Sequence, residues 1–378
     1  MPSILLVTND FGPRAGGIET FVIGLLERIP AGEVIVYTSN QDGCADYDAK
    51  WLRDFRVEVI RDKSKILLPT PRVIRTLQKL VRERGVKKVW FGAAAPLAFS
   101  SRWLRRAGAK KIIAITHGHE VWWSKLWPFS FAIKEIGKQV DYVTYLGEFT
   151  RSTLAPRISN QSKLVKIAPG IDTEHFRPMA ADELREKYQI ANRPTIISVG
   201  RLVHRKGQDR LVEAMPKVIS SIPDAALVFV GEGPHRKVLE QLVKKHGLEK
   251  HVFFIGRISY ADLPKYICMG DIFAMPSRSR LFGLEVEGLG IVYLEASACG
   301  LPVIAGASGG APDAVLQGQT GFVVDGNNLD QIAEACVELL ASPELRRKLG
   351  ESGRSWTQEN WGWPIWSRRF NELLELGK

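Results

Sequence analysis

The chain has 378 residues, 45% hydrophobic and 25% charged, with a formal net charge of +11. That composition excludes a disordered or fibrous chain and suits two cores of about 150–200 residues each. Its cysteines, Cys44, Cys268, Cys299 and Cys336, form no CxxC pair and no metal-ligand spacing, so reduced buried thiols are expected rather than a disulfide framework.

In chain order, β-rich runs are predicted at Ile4–Val7, Glu33–Thr38, Lys88–Phe91, Lys111–Thr116, Tyr142–Tyr145 and Leu164–Ile167, separated by helical periods. The polar stretch from Asp172 to Arg193 reads as a linker. A second series follows at Thr195–Val199, Ala226–Val230, Val252–Ile255, Asp271–Met275, Pro302–Ala305 and Gly321–Val324. Strands alternating with helices imply parallel sheets covered on both faces. The predicted class is therefore α/β: two Rossmann-like doubly wound domains facing an interdomain cleft, spanning 1–170 and 171–356. The closing segment near 357–378 reads as helix interrupted at Pro364. No apolar run reaches the roughly 20 residues of a membrane span, and Ile4–Val7 reads as a buried strand, not a leader's apolar core. A chain neither secreted nor integral to a membrane is expected.

The positive charge is one-sided. Residues 1–170 hold 27 Lys+Arg against 15 Asp+Glu, whereas the remainder holds 25 against 26. Such asymmetry points to an anionic partner for the first half, a membrane surface or nucleic acid. Arg72, Arg75, Lys79 and Arg82 recur at helical spacing, with Val73, Leu77, Leu80 and Val81 on the opposite face. Trp122, Trp123 and Trp127 lie further on. A basic helical face with interfacial tryptophans is the composition of a peripheral membrane patch. A solvated helix packed on its core, with buried tryptophans, has the same pattern. No nucleic-acid recognition motif accompanies the charge, so nucleic acid is not expected.

Two carboxylates, Glu287 and Glu295, bracket the turn between the run ending at Met275 and a helix opening near Val292. At the carboxyl edge of a doubly wound sheet that position binds ligands, and carboxylates there accept hydrogen bonds from sugar hydroxyls. Arg201 and Lys206 follow the run ending at Val199 and suit two phosphates. Gly16 and Gly17 follow the first strand, where the backbone and the next helix's N-terminus can approach an anion; locally, a turn without ligand fits as well. His117 and His119 bracket Gly118 after Lys111–Thr116, with Glu120 next. No third ligand stands at suitable spacing, so no metal is expected. Asp46-Tyr-Asp48 reads as solvated loop. Acceptors for hydroxyls and cations for phosphates together describe a nucleotide-sugar site.

These motifs, with Ala168-Pro-Gly170-Ile-Asp172, Gly231-Glu-Gly-Pro234, Ala298-Cys-Gly300-Leu-Pro302 and Ser308-Gly-Gly310, resemble in order the retaining GT-B glycosyltransferases called glycosyl transferases group 1. Trp90–Pro96, Thr116–Glu120 and Val286–Val292 resemble the actinobacterial phosphatidylinositol mannoside mannosyltransferases. The resemblance implies a retaining α-mannosyltransferase that takes mannose from GDP-mannose to a phosphatidylinositol mannoside. It would act from the cytoplasm, peripheral at the inner face of the plasma membrane. Another nucleotide-sugar donor, or a soluble glycan acceptor, is the alternative.

It further implies front-face displacement without cofactor or metal, in which Arg201 and Lys206 stabilise the departing GDP. Glu287 and His117 would hold the transferred sugar, and Glu295 the ribose hydroxyls. The amides of Gly288, Leu289, Gly290 and Ile291 would meet sugar and phosphate, Gly16 and Gly17 the diphosphate or acceptor. The final helix would pack back on the first domain. Arg205 falls on no family position and receives no role. Leu281 and Phe282 depart from the pattern, where small glycine-rich residues are expected, and Trp122 replaces a smaller residue.

Overall fold

The computed structural model describes residues 2–14, 16–118 and 120–376. The chain divides into two compact units, Met1–Gly170 with Trp363–Lys378, and Ile171–Gly362.

The first unit is built on seven parallel strands: β1 (Ile4–Thr8), β2 (Val34–Thr38), β3 (Glu58–Arg61), β4 (Lys88–Phe91), β5 (Lys111–Ala114), β6 (Tyr142–Tyr145) and β7 (Leu164–Lys166). Their order is β3-β2-β1-β4-β5-β6-β7, so the winding reverses between β1 and β4. Every residue of β1 and β2 is buried, as strands covered by helices on both faces must be. β3 is an edge strand only half-buried along its length, and its charged ends, Glu58 and Arg61, hide it from a hydrophobicity reading. The helix Trp363–Leu373 packs in this unit, its Phe370 ring 4.9 Å from the buried Trp90. Gly362 separates it from the helix Pro343–Trp361 of the other unit, and Pro364 stands in its first turn.

The second unit carries six parallel strands: β8 (Thr195–Val199), β9 (Ala226–Val230), β10 (Val252–Gly256), β11 (Ile272–Met275), β12 (Val303–Gly306) and β13 (Gly321–Val324). The order β10-β9-β8-β11-β12-β13 reverses between β8 and β11, which pair directly. A reversal of this kind opens a crevice at the carboxyl ends of the two strands. The stretch 172–193 is part of this unit and holds a short helix, Asp182–Lys187; Arg185 anchors it by donating to the carbonyls of Met269 and Arg193. Each unit has its own apolar core, around Leu5, Phe91 and Ile112 in the first and Leu227, Ile272 and Ile304 in the second.

Candidate functional site

In the second unit the loops leaving β8 and β11 lie side by side, because their strands are neighbours and parallel. The β8 loop turns through His204–Lys206 and ends on Gly207 at φ 75°; a Cβ there would fall 2.0 Å from the carbonyl oxygen of Pro276. Only glycine lets the two loops approach this closely.

That approach brings Lys206 Nζ to 2.8 Å and Arg205 Nη1 to 2.5 Å from the same oxygen, Oε2 of Glu287. Glu287 is buried, at 7% exposure. Burial pushes its carboxyl up, but the charges and hydrogen bonds of Lys206 and Arg205 outweigh this and hold it below its ordinary value. Glu287 is therefore an ionised acceptor fixed by two cations. Arg201 is exposed, and its guanidinium makes no hydrogen bond or ion pair among the described residues.

The second carboxylate behaves differently. Glu295 is buried in the helix Ile291–Ala298, and burial raises it to about 7, with the Lys206 charge a weaker opposing influence. Ahead of it, the amides of Gly288, Leu289, Gly290 and Ile291 donate to no partner among the described residues. Free amides at the positive end of a helix form an anion site. Tyr293 locks the helix to β11 by donating to the Met275 carbonyl at 2.7 Å, and the Gly310 amide donates to the Glu287 carbonyl at 2.8 Å. The Ser308–Gly310 segment thus supports the turn.

Two residues that sequence reasoning passed over complete this arrangement. One is Arg205. The other is Arg278, 4% exposed, whose Nη2 bonds Asp209 Oδ2 at 2.6 Å and His204 Nε2 at 2.7 Å, while its backbone amide donates to the Arg205 carbonyl at 2.8 Å. Burial, then the Arg278 charge, lower His204, so the ring is neutral and accepts from Arg278. No local pattern announces either arginine, since both act through partners distant in sequence.

In the first unit, His117 follows β5. Its Nε2 meets the carbonyl oxygen of Gly92, which follows β4, and Phe21 stands edge-on with ring centroids 5.5 Å apart. The His117 amide donates to Glu120 Oε2 at 2.9 Å. His119 lies outside the described residues. Gly16 caps the helix Gly17–Leu26 without a side-chain bond. A Cβ on Gly17 would meet nothing within 4 Å, so the protein's own packing does not require a glycine there.

The basic face lies on the helix Pro71–Glu83, with Val73, Ile74, Leu77 and Val81 buried and Arg75, Lys79 and Arg82 exposed. Arg72 differs: its guanidinium forks onto Asp62 at 2.7 and 2.8 Å, and Asp62 in turn accepts from the Tyr37 hydroxyl. Trp122 and Trp123 are half-buried against Phe129, at 5.0 and 4.8 Å, whereas Trp127 is 84% exposed beside Leu126 and Phe131. Arg72 is thus exposed but tied to Asp62, Trp122 and Trp123 pack on Phe129, and Trp127 alone among the three tryptophans is presented outward. Ile66 and Leu68, exposed near Lys63 and Lys65, were not singled out from sequence. Asp46 and Asp48 belong to the helix Cys44–Phe55, not to a loop, and Asp48 pairs with Arg61 at 2.6 Å.

Residues 180–356 match the family described as Glycosyl transferases group 1, and residues 15–175 match Glycosyltransferase Family 4. The chain is 44% identical to a GDP-mannose-dependent alpha-(1-6)-phosphatidylinositol monomannoside mannosyltransferase of Mycolicibacterium smegmatis, over 98% of each chain. It belongs to the glycosyl transferases group 1 family.

A monoacylated alpha-(1-6)-phosphatidylinositol monomannoside mannosyltransferase of Corynebacterium glutamicum is 40% identical, over 98% of this chain and 97% of that one. Among solved structures, Anabaena HepE in complex with UDP shares the fold, with TM-score 0.83 and 18% identity over 99% of this chain and 100% of that one. Sucrose-phosphate synthase from Thermosynechococcus elongatus gives 0.79 and 25% over 99% and 98%. The chain is a glycosyltransferase of GT-B fold, as its motifs imply.

Proposed function

We propose that the protein is a retaining α-mannosyltransferase that moves mannose from GDP-mannose to a phosphatidylinositol mannoside. The observation that carries the reading is the pairing of Glu287 with Lys206 and Arg205 beside Glu295 and four amides that have no partner among the described residues. Sugar hydroxyls need acceptors, phosphates need cations and amides, and these lie together at the β8/β11 switch point. Donor and acceptor are taken from the relatives, which match along nearly the whole chain.

In this reading Arg201 and Lys206 stabilise the charge that develops on departing GDP, helped by the amides of 288–291. Lys206 is drawn from Glu287 towards phosphate when donor binds. Glu287 accepts from the transferred mannose and Glu295 from ribose, while His117 is assigned to sugar contact and the open space at Gly17 to substrate approach. With its Oε2 still held by Arg205 after Lys206 turns to phosphate, Glu287 is a poor nucleophile, which favours displacement on the leaving-group face over a covalent glycosyl-enzyme. The cationic groups neutralise the diphosphate, so we assign no metal and no cofactor.

The acceptor places the enzyme at a membrane. Among the described residues no helix is long and apolar enough to cross one. Arg75, Lys79 and Arg82, with Lys63, Lys65, Ile66, Leu68 and Trp127, offer charge and apolar surface for peripheral attachment to an anionic leaflet, at about 1 kcal/mol per basic residue. The assigned location is the cytoplasmic face, where nucleotide-sugars are made. Nuclear magnetic resonance of the mannolipid product tests the stereochemistry: the reading requires an α-linkage, and a β-linked product overturns it.

A further inference from the structure

Leu281 and Phe282 form the tip of a tight loop, both in left-handed backbone with φ of 50° and 54°. That region crowds the Cβ of every residue but glycine, so two bulky residues in succession there are strained. The departure from small residues noted in the sequence therefore falls where the backbone would favour glycine. Packing does not offset the strain, because Leu281 is 63% exposed and Phe282 fully exposed.

The loop is nevertheless held in place. Arg280 and Glu285 exchange backbone hydrogen bonds of 2.8 and 3.2 Å, and Arg280 Nη1 reaches Glu285 Oε2 at 3.1 Å. Glu285 lies 3.9 Å from Arg205, which is bonded to Glu287. A ladder of charges therefore links the tip to the residues assigned to the donor. Strain that persists in surroundings fixed this firmly marks a functional position.

We infer that Leu281 and Phe282 are a specificity-determining contact for an acyl chain of the lipid acceptor. This rests on the proposed function. Neither side chain can hydrogen-bond a hydroxyl, so a soluble glycan gains little from them, whereas a methylene chain needs only apolar surface.

The test is the double substitution Leu281→Gly/Phe282→Gly, assayed with diacylated phosphatidylinositol monomannoside and with its deacylated, water-soluble form. Relief of strain raises Tm, by roughly 2–4 °C for a unit of this size. The ratio of kcat/KM for diacylated over deacylated acceptor falls about tenfold, the loss expected from partial exposure of two apolar contacts. An unchanged ratio overturns the inference and leaves the functional reading intact. Wild-type enzyme that mannosylates neither acceptor defeats the functional reading, and this inference with it. Equal loss of sedimentation with phosphatidylinositol vesicles lacking mannoside assigns the tip to the bilayer surface and overturns the acyl-chain contact. A fall in Tm removes the strain on which the inference stands.

Discussion

Lys206 Nζ sits 2.8 Å from Glu287 Oε2, although 81 positions of sequence separate the two residues. In the proposed reading the contact joins the cation assigned to phosphate to the carboxylate assigned to the sugar. Removing Lys206 leaves the buried Glu287 with Arg205 as its one remaining cation, which is costly. Lys206→Ala is expected to lower kcat/KM by at least 100-fold, equivalent to about 3 kcal/mol of transition-state stabilisation. Arg205→Ala also releases Glu287 but removes no assigned phosphate contact, so its effect should be smaller, about tenfold. Steady-state kinetics of the two variants decide this, and equal losses would give Arg205 a direct part in the chemistry.

In its proposed role as ribose acceptor, Glu295 makes donor binding dependent on pH. Its carboxyl, raised from the ordinary 4.5 to about 7, must be ionised to accept two ribose hydroxyls. GDP-mannose affinity should therefore increase as pH rises from 6 to 8, and Glu295→Gln should flatten that dependence in calorimetric titrations. Stability moves the other way. A folded-state value above the unfolded one favours the neutral form, so this contribution is fully present below about pH 4.5 and is lost as pH climbs through 7. Its size is at most about 3 kcal/mol. Glu295→Gln should accordingly raise Tm at pH 8 by several degrees and have little effect at pH 5.

Gly17 separates a ligand role from a structural one. Its Cβ position is open, so Gly17→Ala should leave Tm unchanged or slightly raised while lowering turnover. Full activity in this variant would mean that no substrate approaches there.

Arg278 is predicted to be structural support for the cationic turn. Arg278→Ala strands Asp209 and His204, and destabilisation of about 3 kcal/mol is expected by chemical denaturation. Arg278→Lys, which keeps the charge but loses the planar guanidinium that bonds both Asp209 and His204, should recover part of that stability and less of the activity.

The proposed membrane attachment rests on exposed charge. Arg75→Glu/Lys79→Glu/Arg82→Glu should abolish sedimentation with phosphatidylinositol vesicles, and wild-type binding should weaken steeply with salt. Arg72 is left out of this set because Asp62 holds it.

Much of this architecture was legible in the sequence because parallel strands buried on both faces write themselves as apolar runs such as Ile4–Val7 and Ala226–Val230. The half-buried β3 leaves no such run, and its Glu58 and Arg61 look like loop residues. The places of Lys206 and Glu287 in the loops after β8 and β11, and of Glu295 in the helix that follows, were likewise legible from their spacing along the chain. Arg205 and Arg278 were not, because their significance lies in pairing across about 70–80 residues of sequence that only the β8–β11 adjacency brings together. Whether a tryptophan packs or protrudes also depends on neighbours such as Phe129, so Trp123 and Trp127 could not be told apart beforehand.

The central claim is mannosyl transfer to a lipid, and labelled donor tests it directly. Purified enzyme is incubated with radiolabelled GDP-mannose or, separately, UDP-glucose, and lipid extract containing phosphatidylinositol and its monomannoside. Label passing from GDP-mannose alone into a dimannoside lipid is the predicted result. Label entering lipid from UDP-glucose, or donor hydrolysis with no labelled lipid, would contradict the assignment of donor and acceptor.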